Sequence, residues 1–243
     1  PTVSFLSRPE SRPAYWKDRP LPALLPGSSV DVIIATRNRC PDPVLDRNPL
    51  WWALESIAWL RGVRIREIIV VDDASDDRTP QVLRLARRYL QLPLRGIRLE
   101  SRQGSARARN AGIAASRADR LFFLDDDCIA SPYCLYGISR VLDLLTLRGR
   151  AVAAVHAPFY FRHVVPSHVR PLSEIGRVDW AGASYSTNLK AFPAEYLEGS
   201  EPPLCDSELK LIEPFPIQHL CGVVLAQRQA LVEVGGFPNY FTW

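Results

Sequence analysis

Residues 121–127 read LFFLDDD, a four-residue apolar run followed at once by three aspartates. Two comparable runs precede it: VDVIIA at 30–35, followed by Thr-Arg-Asn, and EIIVV at 67–71, followed by Asp-Asp. Short runs that are apolar throughout, rather than alternating, indicate strands of a parallel sheet covered on both faces. Because such sheets bind ligands beyond the carboxyl ends of their strands, we expect the three polar clusters to converge on one crevice.

Helical patterns separate these runs, which is typical of an α/β fold. In the first pattern, residues 48–60, a proline occupies the first turn after an asparagine that can cap the helix. The segment 159–216 is rich in proline and aromatic residues and receives no assignment. Further helices are predicted over 79–90, 105–116 and 132–147, and further strands over 96–100 and 151–155.

The composition excludes several classes of protein. With 243 residues, 47% of them hydrophobic and 23% charged, the chain is neither disordered nor a disulfide scaffold. A net charge of +4 is too weak to indicate a nucleic-acid partner. The five cysteines form no Cys-x-x-Cys pair, so reduced thiols and a cytoplasmic location are expected. No apolar run approaches the roughly 18 residues of a membrane helix, so any membrane association is assigned to parts outside this segment.

Residues 1–29 differ in character from the rest, with six prolines among arginine and serine. Proline fixes φ and removes a donor, so this stretch is predicted to be an arm or linker. Methionine is missing altogether, even at position 1. We therefore expect a segment of a longer chain, in which residues 30–243 are one domain truncated at its C-terminal end.

Three consecutive carboxylates repel one another unless a cation or hydrogen-bond donors offset their charge. In an extended segment Asp125 and Asp127 point to the same side, where Asp-x-Asp can bind a divalent metal that also holds a diphosphate. Magnesium and manganese both suit carboxylate and phosphate oxygens. The structural alternative is a solvated acidic turn that caps the next helix, and directly after an apolar strand the metal interpretation is favoured.

Two other polar segments fit a nucleotide. Asp72 and Asp73, next to the second strand, are candidates to hydrogen-bond a base or ribose, whereas Asp76 or Asp77 can equally cap the following helix. The stretch GSARARN at 104–110 begins a helix with small residues and two arginines. It either admits a nucleotide and offers it a guanidinium or packs a helix closely on the sheet.

Five segments in this order resemble family 2 glycosyltransferases of the GT-A fold: VDVIIATRNR, IIVVDDASDD, GSARARNAGIAAS, RLFFLDDDC and HLCGVVLAQRQALVEVGGFPNYF. The resemblance covers residues 30–243. It implies a Rossmann-like three-layer α/β/α sandwich with a mostly parallel central sheet. It also implies metal-dependent (Mn²⁺ or Mg²⁺) inverting transfer of a sugar from a UDP-, GDP- or dTDP-linked donor. The implied acceptor is a hydroxyl of a glycan, lipid or small molecule.

The resemblance also implies roles for single residues. Asp73 would bind the base, Asp125 and Asp127 the metal, with Asp127 the foremost ligand, and Asp126 would lie near the ribose. Further nucleotide contacts are expected from Ala35, Thr36, Arg37 and Arg107. The acceptor and sugar pocket would be formed by Cys221, Gly222, Gly235, Gly236 and Phe237.

Two departures from the family pattern bear on activity. Arg37 stands where the family commonly has an aromatic residue, so base contacts are expected to differ. The family's catalytic base usually follows the Gly-Gly-Phe segment, and here the sequence stops at Trp243. The segment is therefore expected to bind nucleotide but to transfer sugar poorly by itself. Two rival hypotheses are a non-catalytic GT-A scaffold and a haloacid-dehalogenase-type phosphatase, whose Asp-x-Asp normally ends the first strand.

Overall fold

The computed structural model describes residues 23–26, 29–130, 133–156, 160–161, 184–185 and 222–238. Its strands are β1 (Val30–Thr36), β2 (Ile65–Asp72), β3 (Leu94–Arg98), β4 (Arg120–Leu124), β5 (Ala154–His156), β6 (Tyr160–Phe161), β7 (Ser184–Tyr185) and β8 (Val223–Gln227). Its α-helices are α1 (Pro49–Ala58), α2 (Thr79–Tyr89), α3 (Ser105–Ala115), α4 (Cys134–Leu147) and α5 (Arg228–Glu233), and a short 3-10 helix covers Leu45–Arg47.

A six-stranded sheet in the order β3-β2-β1-β4-β8-β5 organises the described residues. Strands β3, β2, β1 and β4 are parallel to one another, which confirms the predicted mostly parallel sheet. Strand β8 is antiparallel to both β4 and β5 and connects them. The sequence did not predict β8 as a strand. Strand β5 also starts three residues later than predicted, at Ala154.

Helices cover both faces of the sheet. Ile33 of β1 and Phe123 of β4 pack against Ile113 of α3 on one face, and Leu231 of α5 packs on the same cluster. Successive side chains of a strand point to opposite faces, so Gly96 of β3 and Arg120 of β4 face the other way. Gly96 lies against Leu83 of α2, and Arg120 pairs with Asp143 of α4. The result is the three-layer α/β/α arrangement that the resemblance implied.

Local contacts at the helix starts partly follow the prediction. Asn48 precedes Pro49 at the start of α1, but its side chain does not cap this helix. The Asn48 amide instead donates to the carbonyl oxygens of Val44 (2.9 Å) and Leu45 (3.1 Å), so it holds the preceding 3-10 turn. At α2 the carboxylate of Asp77 accepts the backbone N–H of Thr79 at 2.8 Å, in keeping with the alternative that Asp77 caps this helix.

The described end of the predicted arm is fixed to α4. The backbone N–H of Leu25 donates to Asp143 Oδ2 at 2.8 Å, and Arg140 donates to the carbonyl oxygen of Ala23 at 2.8 Å. The other carboxylate oxygen of Asp143 accepts a hydrogen bond from buried Arg120 at 2.6 Å. One buried aspartate thus joins the arm, α4 and β4.

Three further observations complete the fold. Strands β6 and β7 pair with each other in a unit separate from the one that holds the six-stranded sheet. Three cysteines in the described part of the chain, Cys40, Cys128 and Cys134, are free thiols. Within the same part of the chain no helix is long and apolar enough to cross a membrane.

Candidate active site

The loops after β1 and β2 are held together at the carboxyl edge of the sheet. The backbone N–H of Asp73 donates to the carbonyl oxygen of Thr36 at 2.9 Å. Arg37 donates through Nη1 to the carbonyl oxygens of Asp73 (2.6 Å) and Ala74 (2.8 Å). Ala74 has a left-handed backbone, with φ of 55°. The guanidinium of Arg37 therefore fixes the β2 loop in an unusual conformation.

Buried Asp73 fixes the chain that leads into α3. Its two carboxylate oxygens accept the backbone N–H groups of Gln103 (2.6 Å) and Gly104 (2.9 Å). Gly104 precedes α3 with a backbone φ of 92°, which residues other than glycine rarely adopt. Asp73 thus joins the end of β2 to the start of the small-residue helix, and both lie at the predicted nucleotide crevice.

The three aspartates after β4 form a turn rather than an extended segment. The backbone N–H of Cys128 donates to the carbonyl oxygen of Asp125 at 3.1 Å, and residues 126 and 127 lie within this turn. The expectation of an extended Asp-x-Asp was therefore wrong. As a result Asp126 and Asp127 share one cationic partner, whereas Asp125 has another.

The shared partner is Arg39, from the loop after β1. Its Nε lies 3.1 Å from Asp126 Oδ1 and its Nη2 lies 3.0 Å from Asp127 Oδ2. The Arg39 side chain is 44% exposed and the Asp127 side chain 48%, whereas Asp126 is buried. Although burial lowers the pKa of Arg39, Asp126 and Asp127 outweigh it, so that the pKa is raised above its ordinary value.

Burial dominates the electrostatics of Asp126. Loss of solvent raises the pKa of its carboxyl from 3.8 to about 6, although Arg39 lowers it, and the neighbouring carboxylates of Asp127 and Asp125 raise it further. A buried carboxylate of this kind needs donors close by. Arg39 supplies one of them, so the loop after β1 and the turn after β4 are electrostatically linked.

The second cationic partner is Arg109 of α3. Its Nη2 lies 2.7 Å from Asp125 Oδ1, and its guanidinium lies over the ring of Phe237 at 5.6 Å from the centroid. The same ring makes an edge-to-face contact with Phe123 of β4, with 5.2 Å between centroids. A carboxylate and an aromatic ring thus hold the guanidinium at the mouth of the crevice.

Asn110, next along α3, binds the backbone of Phe237 on both sides. Its amide donates to the carbonyl oxygen of Phe237 at 2.8 Å, and its Oδ1 accepts the N–H of Phe237 at 2.8 Å. Gly236 has φ of 81°, and a Cβ there would lie 2.5 Å from Asn110 Oδ1. Only glycine allows this approach, so the Gly-Gly-Phe segment is fixed on α3.

The start of β8 also reaches the turn after β4. The backbone N–H of Asp125 donates to the carbonyl oxygen of Gly222 at 3.0 Å, and Gly222 is buried with φ of 77°. Because β8 is antiparallel to β4, its first residues lie at the same edge of the sheet as the aspartates. Gly222 therefore meets the Asp125–Asp127 turn directly, whereas Phe237 of the Gly-Gly-Phe segment is linked to it through Arg109.

These residues suit a divalent cation only as a partial site. Among the described residues, no three His, Cys, Asp or Glu side chains come together as a set of metal ligands. Magnesium in phosphate-binding enzymes is commonly held by one or two carboxylates together with substrate phosphates. The partly exposed oxygens of Asp125 and Asp127 fit that donor set, in which the substrate supplies the remaining ligands.

Comparison with known proteins identifies the family. The model described as Glycosyl transferase family 2 matches residues 31–223, about four fifths of the chain. The chain belongs to this family. This membership, together with an aspartate turn that follows the fourth strand rather than the first, sets aside the phosphatase hypothesis.

The curated relatives of this chain are matched over only part of their length. Polypeptide N-acetylgalactosaminyltransferase 13 of Homo sapiens is 32% identical over 128 residues, 50% of this chain and 21% of that protein. The uncharacterized glycosyltransferase YwdF of Bacillus subtilis (strain 168) is 33% identical over 103 residues, 42% of this chain and 34% of that protein. The chain thus spans about a fifth to a third of the curated relatives it matches.

A solved structure shows the same fold. The mannosyltransferase PcManGT from Pyrobaculum calidifontis, in complex with GDP-Man and Mn²⁺, aligns with a TM-score of 0.54 at 21% identity. The alignment covers 93% of this chain and 53% of that chain. The GT-A architecture of this family 2 domain is thereby shown, in agreement with the six-stranded sheet.

The structure brings most of the residues that the sequence singled out to the carboxyl edge of the sheet or to α3. Thr36, Asp73 and Asp126 are buried at the carboxyl edge, and Ala35, Arg37 and Asp125 are half-buried there. Gly236 and Phe237 contact α3, whereas Gly235 is exposed with open space around its Cα. Cys221 lies outside the described residues. Arg107 is exposed on α3.

Three site residues were missed from the sequence: Arg39, Arg109 and Asn110. The stretch 104–110 was quoted as a whole, but only Arg107 was selected from it. Neighbouring residues of a helix point about 100° apart, so Arg107 and Arg109 lie on nearly opposite sides of α3. The partner of Arg109, at Asp125, shows which side faces the crevice.

Proposed function

We propose that this domain transfers a sugar, with inversion, from a nucleotide-diphosphate donor to an acceptor hydroxyl, in a reaction that depends on Mn²⁺ or Mg²⁺. The observation that carries the proposal is the position of Asp125. Its carboxylate meets Arg109 of α3, and its backbone N–H meets Gly222 at the start of β8. This residue therefore links the proposed nucleotide side of the crevice to the proposed acceptor side.

On the nucleotide side, the base and ribose are proposed to lie between the loops after β1 and β2. Ala35, Thr36 and Arg37 border this space, and Asp73 lines it. The Asp73 carboxylate already accepts two backbone N–H groups, so it is held rigidly where it can accept from a base. Arg107 and Asp126 are proposed as further nucleotide contacts.

The metal is proposed to be held by Asp125 and Asp127 together with the donor's diphosphate. When bound, such an ion offsets the negative charge of the departing nucleoside diphosphate. The chain itself contributes two guanidinium groups, Arg39 and Arg109, next to the same aspartates. Arginine suits phosphate oxygens because its planar fork donates several hydrogen bonds at once.

The sugar and acceptor are proposed to occupy the side formed by residues 221–222 and 235–237. Cys221, Gly222, Gly235, Gly236 and Phe237 are the proposed lining of this side. Asn110 holds the Phe237 backbone, and Phe123 and Arg109 hold its ring. A fixed aromatic ring at this point excludes water from the sugar and orients it for attack by the acceptor hydroxyl.

The test is calorimetric titration of the chain with GDP and with UDP, each with and without Mn²⁺. One of the two nucleotides is expected to bind more tightly when Mn²⁺ is present. Asp127→Asn is expected to remove that metal-dependent gain, because it removes a ligand charge. Asp119→Asn is the matched control, since Asp119 is an exposed aspartate at the opposite end of β4.

The outcomes separate the alternatives. The proposal fails if neither nucleotide shows metal-dependent binding, or if Asp127→Asn binds as the wild type does while both variants are folded. Metal-dependent binding without turnover of any donor sugar, measured with the full-length protein, would instead favour the non-catalytic scaffold.

A further inference from the structure

Arg39 bridges two neighbouring carboxylates with one guanidinium. Its Nε and Nη2 lie 3.1 and 3.0 Å from oxygens of Asp126 and Asp127. Asp127 is also a proposed ligand of the metal ion. The Arg39 guanidinium and the proposed metal ion would therefore bind the same carboxylate, that of Asp127.

The backbone on both sides of Arg39 is fixed. The N–H of Asn38 donates to Ser75 Oγ at 3.0 Å, and the N–H of Cys40 donates to Asp77 Oδ2 at 2.6 Å. The loop after β1 is thus held to the loop after β2 on either side of Arg39. Any departure of the guanidinium from the aspartates must come from rotation of its side chain alone.

Arg109 is held more firmly than Arg39. The Arg109 side chain is 23% exposed and contacts both Asp125 and the Phe237 ring. The Arg39 side chain is 44% exposed, and one of its two partners, Asp127, is 48% exposed. The Arg39–Asp127 pair is a surface ion pair, which contributes little and exchanges readily, whereas the other partner, Asp126, is buried. Of the two arginines, Arg39 is the one that can exchange partners.

The net charge around the three aspartates gives Arg39 a reason to exchange partners. The three carboxylates and the two guanidinium groups together carry a net charge of −1. A divalent cation changes the sum to +1 and brings two positive charges close to Arg39, and like charges a few ångströms apart repel strongly. The two negative charges of a diphosphate restore −1. They also offer the displaced guanidinium a new partner within the same crevice.

We propose that Arg39 couples metal binding to nucleotide binding. The metal ion and Arg39 compete for the Asp127 carboxylate, and the donor's diphosphate accepts the guanidinium that the metal displaces. Metal and nucleotide then bind together better than either binds alone, and by linkage each raises the affinity of the other by the same factor. This inference rests on the proposed function, whose test does not involve Arg39.

The experiment measures the dissociation constant of Mn²⁺ by electron paramagnetic resonance of the free ion, with and without saturating GDP, and again with UDP. Arg39→Ala is expected to bind Mn²⁺ alone roughly three- to tenfold more tightly than the wild type, since a competing cation is gone. The gain in Mn²⁺ affinity caused by the nucleotide is expected to shrink by a similar factor. Arg39→Lys keeps the charge without the two-nitrogen fork and should shift both values less.

Arg88→Ala is the matched control, because Arg88 is an exposed arginine of α2 whose guanidinium lies over the neighbouring Tyr89 ring. It removes the same charge from the same domain and should change the Mn²⁺ constant by less than about twofold, as expected for a distant screened charge. Weaker Mn²⁺ binding in Arg39→Ala, or an unchanged nucleotide effect, would overturn the coupling. If Arg39→Ala does not fold, Arg39→Lys decides by the same criteria.

Failure of this inference is distinguishable from failure of the proposed function. A wild type that binds GDP or UDP but never Mn²⁺ overturns the coupling and the metal dependence of the proposed function, and leaves nucleotide binding intact. A wild type that binds neither nucleotide nor Mn²⁺ overturns both. If the wild type shows metal-dependent nucleotide binding and Arg39→Ala binds Mn²⁺ as the wild type does, with and without nucleotide, only the coupling is overturned.

Discussion

Asn110 and Phe237 exchange two hydrogen bonds of 2.8 Å, one in each direction, across 127 residues of sequence. The side-chain amide of Asn110 replaces the backbone partner that Phe237 lacks at this point. The contact fixes the segment after α5 to the middle of α3, next to Arg109. It holds together the two parts of the chain to which the nucleotide and the acceptor are assigned.

Asn110→Ala is expected to lower the free energy of unfolding by about 1–3 kcal/mol, because it leaves two partly buried backbone groups of Phe237 without partners. Urea denaturation followed by circular dichroism measures the change. Hydrogen exchange of the Phe237 amide should accelerate in the variant while the amides of β1 stay protected. Unchanged exchange at Phe237 would contradict the role assigned to Asn110.

Gly236→Ala is expected to destabilise the fold more than Gly235→Ala. Both glycines have left-handed backbones, with φ of 81° and 78°, so each alanine carries a strain of about 1–2 kcal/mol. Only at Gly236 would the new Cβ also meet Asn110 Oδ1, at 2.5 Å, whereas Gly235 has open space. The difference between the two variants, about 1–2 kcal/mol for a lost hydrogen bond, isolates this contact.

The coupling between Gly236 and Asn110 is best measured by a double-mutant cycle, in which the free energy of unfolding is determined for Gly236→Ala, Asn110→Ala and the double variant. If Gly236→Ala acts by pushing the Asn110 side chain away, its extra cost should disappear once that side chain is absent. Equal urea midpoints for the two glycine variants would show that the segment relaxes without disturbing Asn110.

Asp143→Ala is expected to cost about 3–5 kcal/mol, because it leaves the buried guanidinium of Arg120 without its counter-charge. The variant also frees the backbone N–H of Leu25, which donates to the same carboxylate. Arg140→Ala is the control: it removes the other described hydrogen bond between the arm and α4, the one to Ala23, which is exposed to solvent. Its cost should stay within about 0.5 kcal/mol. A similar loss in both variants would mean that the arm contacts, rather than the buried ion pair, carry the stability.

Cys40 is expected to resist alkylation. Burial raises the pKa of its thiol from 9.0 to about 12, although a hydrogen bond from Thr79 lowers it, and nearby Asp77 raises it further. Only the thiolate reacts, so at pH 8 the native thiol should react with iodoacetamide at least roughly a hundredfold more slowly than in urea. Its rate should still rise about tenfold per pH unit between pH 8 and 10, where an ordinary thiol levels off. Peptide mass spectrometry measures the rate at which Cys40 is alkylated. Equal rates with and without urea would contradict the burial of this thiol.

The central strands could be predicted because they are buried on both faces. The apolar run at 67–71 lies within β2, and that at 121–124 lies within β4. Strand β3 was predicted two residues too late. It lies at the edge of the sheet, and among its five residues only Leu94 is buried, so its sequence carries little apolar pattern.

Long-range relationships could not be predicted from local pattern. The expectation of an extended Asp-x-Asp rested on strand geometry continuing past Leu124, whereas the chain turns there and places Asp126 beside Asp127 at Arg39. The sequence also does not indicate which carboxylate an arginine will pair with. Arg39 pairs with Asp126, 87 residues away, and Arg109 pairs with Asp125, 16 residues away.

The position of β8 in the sheet has a consequence for biosynthesis. Residues 223–227 insert between β4 and β5, about 100 residues after β4 and about 70 after β5. A ribosome adding about 5–20 residues per second needs about 5–20 seconds to cover the first distance. During that time the four parallel strands can assemble, but one edge of β4 lacks the neighbour that completes it, and unpaired edges invite wrong partners. The nascent chain is thus most exposed to mispairing while the stretch between β4 and β8 is being made, and a chaperone would be most useful to it then.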